Sequence, residues 1–162
     1  MVWGKNGTPE TLGSAGDDVD ITDLSGLKFN QSMVHMPRSG NIGERRTYNN
    51  DGGSLYTHRR SANSGADSTT TSAAYTDYNV FAGFGDFFLV NYIVFISGEE
   101  KLSIEFVSST YTAGAGTAPD RAEFVAKYVP SSLTDTLDRI DYNNAESGSY
   151  DTNSNISVIG TD

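Results

Sequence analysis

The segments FFLVNYIVFI at residues 87–96 and KLSIEFVSS at residues 101–109, joined by SGEE at 97–100, decide the fold class. The first segment is apolar on both faces, as expected of a strand in the middle of a sandwich. It is about half the length that a membrane-spanning helix needs. In the second segment Leu102, Ile104 and Phe106 alternate with polar residues, which is the period of a β-strand. We therefore predict two strands joined by a polar turn at the centre of an all-β fold.

The rest of the chain repeats this pattern of short runs separated by Gly, Asn, Asp, Ser and Thr. Such spacing is typical of antiparallel sandwiches and barrels, and no segment keeps a helical period over several turns. At 121–128 a helix is the competing interpretation, but Phe124 and Tyr128 alternate with Arg121, Glu123 and Lys127, which favours a strand. The other strands are predicted at 18–24, 28–36, 44–48, 55–60, 68–74 (an edge strand), 137–142 and 156–159. We predict one all-β domain over residues 1–162, an antiparallel β-sandwich of about nine short strands with a jelly-roll-like arrangement.

One local concentration of basic and aromatic residues stands out. The sequence NNDGG at 49–53 tolerates positive φ, so we predict a hairpin between 44–48 and 55–60. This hairpin would present Arg and aromatic side chains, which carry interface and sugar contacts through stacking and bidentate hydrogen bonds. The alternative is that its arginines only pair with carboxylates of the same chain. The candidate interface or glycan contacts are Arg45, Arg46, Tyr48, Tyr56, His58, Arg59 and Arg60.

Composition argues against several functional classes. The chain of 162 residues has 21 acidic and 11 basic residues, a formal net charge of -10, and no cysteine. Nucleic-acid binders usually carry a basic surplus, so we expect neither nucleic-acid binding nor docking on an anionic bilayer. Without cysteine there is no thiolate catalysis, no Cys-based metal site and no disulfide. The first residues have neither a charged nor an apolar signal region, so we expect no signal peptide and no membrane insertion.

Catalytic and metal-binding patterns are missing from the sequence. The two histidines are isolated: His35 lies in a strand pattern and predicts a packed imidazole, whereas His58 predicts a surface position. No GxSxG elbow is present. The acidic run DDVD at 17–20 lacks the spacing of a calcium loop, so calcium is the only cofactor left open. A pair of glycosidase carboxylates also stays open, because their separation is a three-dimensional property. We predict no enzyme, with no catalytic, cofactor-binding or metal residues.

Several segments taken together carry a family resemblance. They are WGK at 3–5, TLGSAGDD at 11–18, KFN at 28–30, SGEEKL at 97–102, AGAG at 113–116, APDR at 118–121, SGSY at 147–150 and GTD at 160–162. As a set they resemble small uncharacterised virion structural proteins of marine viruses and tailed phages, over the whole chain. The resemblance implies a head decoration, a fibre or spike, or a tail-associated adhesin, present as a trimer or in many copies. It transfers no functional residue to this chain.

The resemblance and the strand pattern lead to one expected function and one alternative. The first is a virion structural protein, an exposed decoration, fibre, spike or tail component that self-assembles. Its expected partners are further copies of itself, as a homotrimer or higher, and other virion proteins. Its expected location is the extracellular particle, assembled in the host cytoplasm. The alternative is a carbohydrate- or receptor-binding β-sandwich module whose ligand is a host-surface glycan.

Overall fold

The computed structural model describes residues 2–77, 85–110 and 112–162, and these residues form strands, turns and loops without a helix. The strands in chain order are β1 Gly4–Lys5, β2 Glu10–Thr11, β3 Asp18–Ile21, β4 Phe29–Met36, β5 Arg38–Ser39, β6 Glu44–Tyr48, β7 Tyr56–Ala62, β8 Ser68–Ala73, β9 Thr76–Asp77, β10 Phe87–Val94, β11 Lys101–Ser109, β12 Asp120–Tyr128, β13 Ile140–Asn144, β14 Ser149–Tyr150 and β15 Asn155–Thr161. The all-β prediction is confirmed.

Two antiparallel sheets contain most of these strands. The larger sheet has nine strands in the order β1-β15-β4-β10-β11-β12-β7-β8, with β2 also paired to β15. The smaller sheet has four strands in the order β3-β13-β6-β9, and β5 pairs with β14 separately. Side chains from both sheets form a single hydrophobic core that includes Val19 and Tyr142 of the smaller sheet and Leu89 and Phe124 of the larger. The antiparallel sandwich is therefore confirmed, with a more uneven division of strands than the two similar sheets of a jelly roll.

The centre of the larger sheet is a meander of β10, β11 and β12. Gly98 has a φ of 82° in the turn between β10 and β11, a conformation that glycine adopts without strain. The amide of Glu99 donates to the carbonyl of Ile96 and closes this turn. All eight residues of β10 pair with β11, and all nine of β11 pair with β12. The predicted central strands and the turn are confirmed, and 121–128 is a strand rather than a helix.

The predicted hairpin over residues 44–60 is wrong. Strand β6 pairs with β13 and β9 in the smaller sheet, whereas β7 pairs with β12 and β8 in the larger. The residues between them do turn with positive φ at Asn49 and Asn50, as their composition predicted. That turn carries the chain from one sheet to the other instead of joining neighbouring strands. The Thr-rich strand predicted at 68–74 is present as β8, which among the described residues pairs only with β7.

Candidate interaction surface

Strand β11 turns its polar side chains toward the core. Residues paired directly across strands share a face of the sheet. Glu105 is paired with Asn91 on one side and with Phe124 on the other. Phe124 is a core residue, so Glu105 must point inward with it. Ser103 and Glu105 are both buried, while their neighbours on the strand face outward.

The smaller sheet supplies the counter-charge for Glu105. Arg46 of β6 is fully buried; one of its terminal nitrogens donates to Glu105 Oε2 and the other to Ser103 Oγ at 3.3 Å. Asn91 Nδ2 donates to the hydroxyl of Tyr48 at 3.2 Å in the same layer. We call Arg46, Asn91, Ser103 and Glu105 the inner polar cluster. A buried ion pair is costly to desolvate and adds little net stability, although removing one partner alone is strongly destabilising.

A second buried cation lies at the start of β11. Lys101 is 1% exposed, and its Nζ donates to the carbonyls of Ile96 and Leu133, both at 2.6 Å. The ammonium also lies 5.3 Å from the ring centre of Phe95. Burial lowers the pKa of Lys101, and the nearby charges of Asp135 and Glu99 oppose that shift. Lys101 therefore ties the β10–β11 turn to the loop before β13.

The opposite side of the meander is apolar and faces solvent. Leu102, Ile104 and Phe106 are 54%, 50% and 49% exposed, although they lie between the buried polar residues of β11. Phe88 and Tyr92 of β10 are nearly as open. We call the following eight side chains the outer apolar face: Phe88, Val90, Tyr92, Val94, Leu102, Ile104, Phe106 and Val125. A buried charge on one side and an exposed apolar surface on the other are the two departures from normal burial that carry information.

The register of the strands makes the outer apolar face continuous. Tyr92 is paired with Ile104, and Ile104 with Val125, so one row crosses three strands. Tyr92, Val94, Leu102, Ile104 and Val125 line a shallow groove of about 370 Å³. Half-exposed side chains of this size contribute on the order of 100 Å² each. The six most exposed members therefore approach the upper end of the roughly 300–600 Å² reached by the largest patch of a typical monomer.

Charged residues border the outer apolar face on the β12 side, and each cation there has an anion beside it. The pairs are Arg59–Asp67 at 3.6 Å, Lys127–Glu100 at 3.1 Å and Arg121–Glu123 at 3.7 Å. We call these six residues the charged rim. Its formal charge is zero, so the whole net charge of -10 lies elsewhere on the chain.

The structure does not bring the seven predicted contact residues together on one surface. Arg46, Tyr48, Tyr56 and His58 are buried, so they cannot touch a partner from the surface. Tyr56 and Tyr128 stack with ring centres 4.8 Å apart in the core. The other three, Arg45, Arg59 and Arg60, reach the surface. Strand alternation and the separation of β6 from β7 distribute the seven residues over different faces, so they do not form one surface.

Of the three surface arginines, Arg59 lies apart from Arg45 and Arg60. Arg45 lies 4.3 Å from the ring centre of Tyr75, beside strand β9. Arg60 and Tyr75, with His58, Thr70 and Ala73, line a small cleft of about 200 Å³. Arg59 belongs to the charged rim on the other side of the sheet. Arg45 and Arg60 therefore both lie near Tyr75.

Both histidine predictions are reversed by the structure. His35 is exposed on the outer side of β4, where it pairs with Phe88, and His58 is 2% exposed on the inner side of β7. Their neighbours explain the exchange: Val34 and Met36 alternate inward on β4, which leaves His35 outward. On β7, His58 shares the inward face with Tyr56.

The acidic run at 17–20 takes part in an ion-pair cluster within the chain. Arg139 NH2 donates to Asp20 Oδ2 at 2.7 Å, and its Nε donates to Asp141 Oδ1. Burial, followed by the charge of Asp141, raises the pKa of Asp20 to about 6, against the opposing effect of Arg139. A guanidinium thus occupies the space between the two carboxylates. In the described part of the chain, no three His, Asp or Glu residues are grouped so that they could hold a metal ion.

Comparisons of the chain with protein-family models, with curated proteins and with solved structures find no match. No helix long and apolar enough to span a membrane occurs among residues 2–77, 85–110 and 112–162. The sequence pattern of β11 contained the signal for the outer apolar face, because polar and apolar residues alternate there, but the pattern does not say which set faces inward.

Proposed function

We propose that this chain is a virion structural protein that assembles through protein–protein contacts of its β-sandwich. The observation that carries the proposal is the outer apolar face. A face of this kind is exposed in a single subunit and becomes buried when a neighbouring subunit packs against it. Larger exposed apolar patches rimmed by polar residues are typical of interaction sites. The resemblance of the sequence to virion structural proteins supports placing this assembly in a virus particle, where the chain would be a decoration, fibre, spike or tail component.

Particle purification tests this proposal directly. Virus particles purified by density gradient from the source of the gene are analysed by quantitative mass spectrometry. The expected result is that the chain is present in the particles and is retained after a wash in high salt, because apolar contacts are not screened by salt. A chain found only in the soluble fraction of infected cells would contradict the proposal. A tail fibre would give a few copies per particle and a decoration protein many, so the copy number also separates these positions.

A carbohydrate-binding module is the second candidate function. The small cleft beside Arg60 and Tyr75 favours it, since an arginine next to an aromatic ring can hold a sugar by hydrogen bonding and stacking. A glycan array probed with the labelled protein, with and without calcium, provides the test. Binding that is lost in Tyr75→Ala would support this candidate. An array without hits under either condition would remove it.

A further inference from the structure

We infer that the outer apolar face is covered by a second copy of this chain, docked sheet against sheet. This inference rests on the proposed function and names the partner that the function leaves open. Two sheets that pack face to face interdigitate apolar side chains across a layer about 10 Å thick. The row of Tyr92, Ile104 and Val125 supplies such side chains at the centre of the face.

The charge distribution permits contact with a second copy and disfavours an anionic partner. Two chains that each carry a net charge of -10 repel one another over most of their surfaces. The centre of the outer apolar face has no charge, and the charged rim sums to zero. Two copies can therefore approach through this face without like-charge repulsion at the contact. Nucleic acid or an anionic bilayer would need a basic surface, which the outer apolar face does not provide.

The size of the face also matches what self-association needs. A standard stable interface buries roughly 800 Å² on each partner, with an apolar core and a polar rim. The outer apolar face provides on the order of 600 Å² of core. The charged rim and the half-buried Phe29, Gln31 and Met33 of β4 supply the surrounding area. Tyr92, Phe88 and Phe106 are of the aromatic type that is enriched in the cores of interfaces.

The packing of the monomer supports the same inference from the inside. The chain places an arginine, a glutamate and a lysine within its core while three large apolar residues of β11 remain outside. If β11 were simply half-buried, the stable arrangement would be the reverse. The observed orientation is reasonable when both sides of the strand become buried, one by the smaller sheet and the other by a second copy.

The experiment compares the mass of three forms of the full chain by light scattering coupled to gel filtration. Ile104→Glu places a charge at the centre of the outer apolar face. Leu133→Glu is the matched control, because Leu133 is 39% exposed on a loop outside the face. We expect the wild type and Leu133→Glu to have at least twice the chain mass of 17.4 kDa, and Ile104→Glu to have the mass of one chain. Circular dichroism should be the same for all three.

A milder variant keeps the test valid if Ile104→Glu fails to fold. Ile104→Thr retains a β-branched residue in the strand, and it should raise the dissociation constant at least tenfold. An Ile104→Glu protein that folds and stays oligomeric would overturn the inference and place the contact elsewhere, for example at the β8 edge. A wild type that stays monomeric at millimolar concentration would also overturn it. If that monomer is nevertheless found in particles, the proposed function survives with another virion protein as the partner; if it is absent from particles, both fail.

Discussion

The two sides of strand β11 carry the reverse of the usual distribution: polar side chains face the core, and large apolar side chains face solvent. The inner side carries Lys101, Ser103 and Glu105, all buried against the smaller sheet. The outer side carries Leu102, Ile104 and Phe106, all about half exposed. The difference teaches that alternation alone fixes which residues share a side, while the neighbouring strands decide which side faces the core. Because Phe124 and Leu89 must be inside, their partners on β11 are inside with them.

The largest predicted effect lies on the inner side, at the inner polar cluster. Arg46→Ala removes the guanidinium that faces Glu105 and leaves a carboxylate buried without its ion-pair partner. Breaking a buried ion pair in this way costs about 3–5 kcal/mol. Urea denaturation followed by circular dichroism should therefore show a large fall in the free energy of unfolding. A loss smaller than that of an ordinary surface substitution would contradict the placement of the pair in the core.

The double variant Arg46→Met with Glu105→Met is the control for that prediction. Replacing both members of a buried pair by apolar residues of similar size is often neutral or stabilising. The double variant should recover most of the stability that Arg46→Ala loses. A loss as large as the sum of the two single substitutions would mean that the two side chains act independently.

The next effect compares a buried and an exposed lysine of neighbouring strands. Lys101→Met removes the donor that satisfies the carbonyls of Ile96 and Leu133, at a cost of about 2–3 kcal/mol. Lys127→Met removes the exposed partner of Glu100 and should cost less than about 1 kcal/mol. Both free energies come from the same denaturation experiment. Equal losses at the two positions would break the proposed contrast between the sides of the sheet.

A smaller effect concerns the pH dependence of stability at Asp20. The pKa of Asp20 is raised to about 6, so the folded state holds a proton there that the unfolded chain releases at lower pH. Stability from this group is present below about pH 4 and is lost as the pH rises through 6. Asp20→Asn removes this loss. The free energy of unfolding of Asp20→Asn minus that of the wild type should rise by about 1–2 kcal/mol from pH 4 to pH 7, measured by urea denaturation. If this difference is the same at both pH values, the raised pKa of Asp20 is contradicted.

The smallest predicted effect on the isolated fold lies on the outer side. Ile104 is half exposed in the single chain, so Ile104→Thr should change the unfolding free energy of dilute protein by less than about 0.5 kcal/mol. The measurement is denaturation at micromolar concentration, where association contributes little. A loss of the size expected for a buried isoleucine would show that Ile104 is part of the intramolecular core.

Local sequence patterns were sufficient for much of the fold, and insufficient for the surfaces. The alternation in 101–109 and 121–128 predicted both strands, and the burial of Phe124 and Tyr128 on one side is confirmed. Strand β6 pairs with β13, and the paired residues Thr47 and Asp141 are 94 residues apart in the chain. No pattern in the neighbouring sequence indicates such a long-range pairing. A turn composed of Asn and Gly reads as a hairpin whether or not its flanking strands pair.

The candidate site was missed for a related physical reason. The sequence pointed to Arg and Tyr residues of β6 and β7, because those residue types are common in interfaces. Arg46, Tyr48 and Tyr56 are buried inside the sandwich, so they are not available for contacts at its surface. The alternation at 101–109 predicts a strand without indicating that its apolar residues face solvent. Their outward orientation depends on the register with β10 and β12, which a single sequence does not contain.

The most direct test of the central claim measures how accessible the outer apolar face is in solution. The chain has no cysteine, so Leu102→Cys introduces a single thiol on the face and Leu133→Cys a single thiol outside it. The rate of thiol labelling is followed as the protein concentration rises from micromolar to millimolar. We predict that the rate at position 102 falls at least tenfold while the rate at position 133 stays constant. A rate at position 102 that does not depend on concentration would contradict the claim that a second copy covers this face.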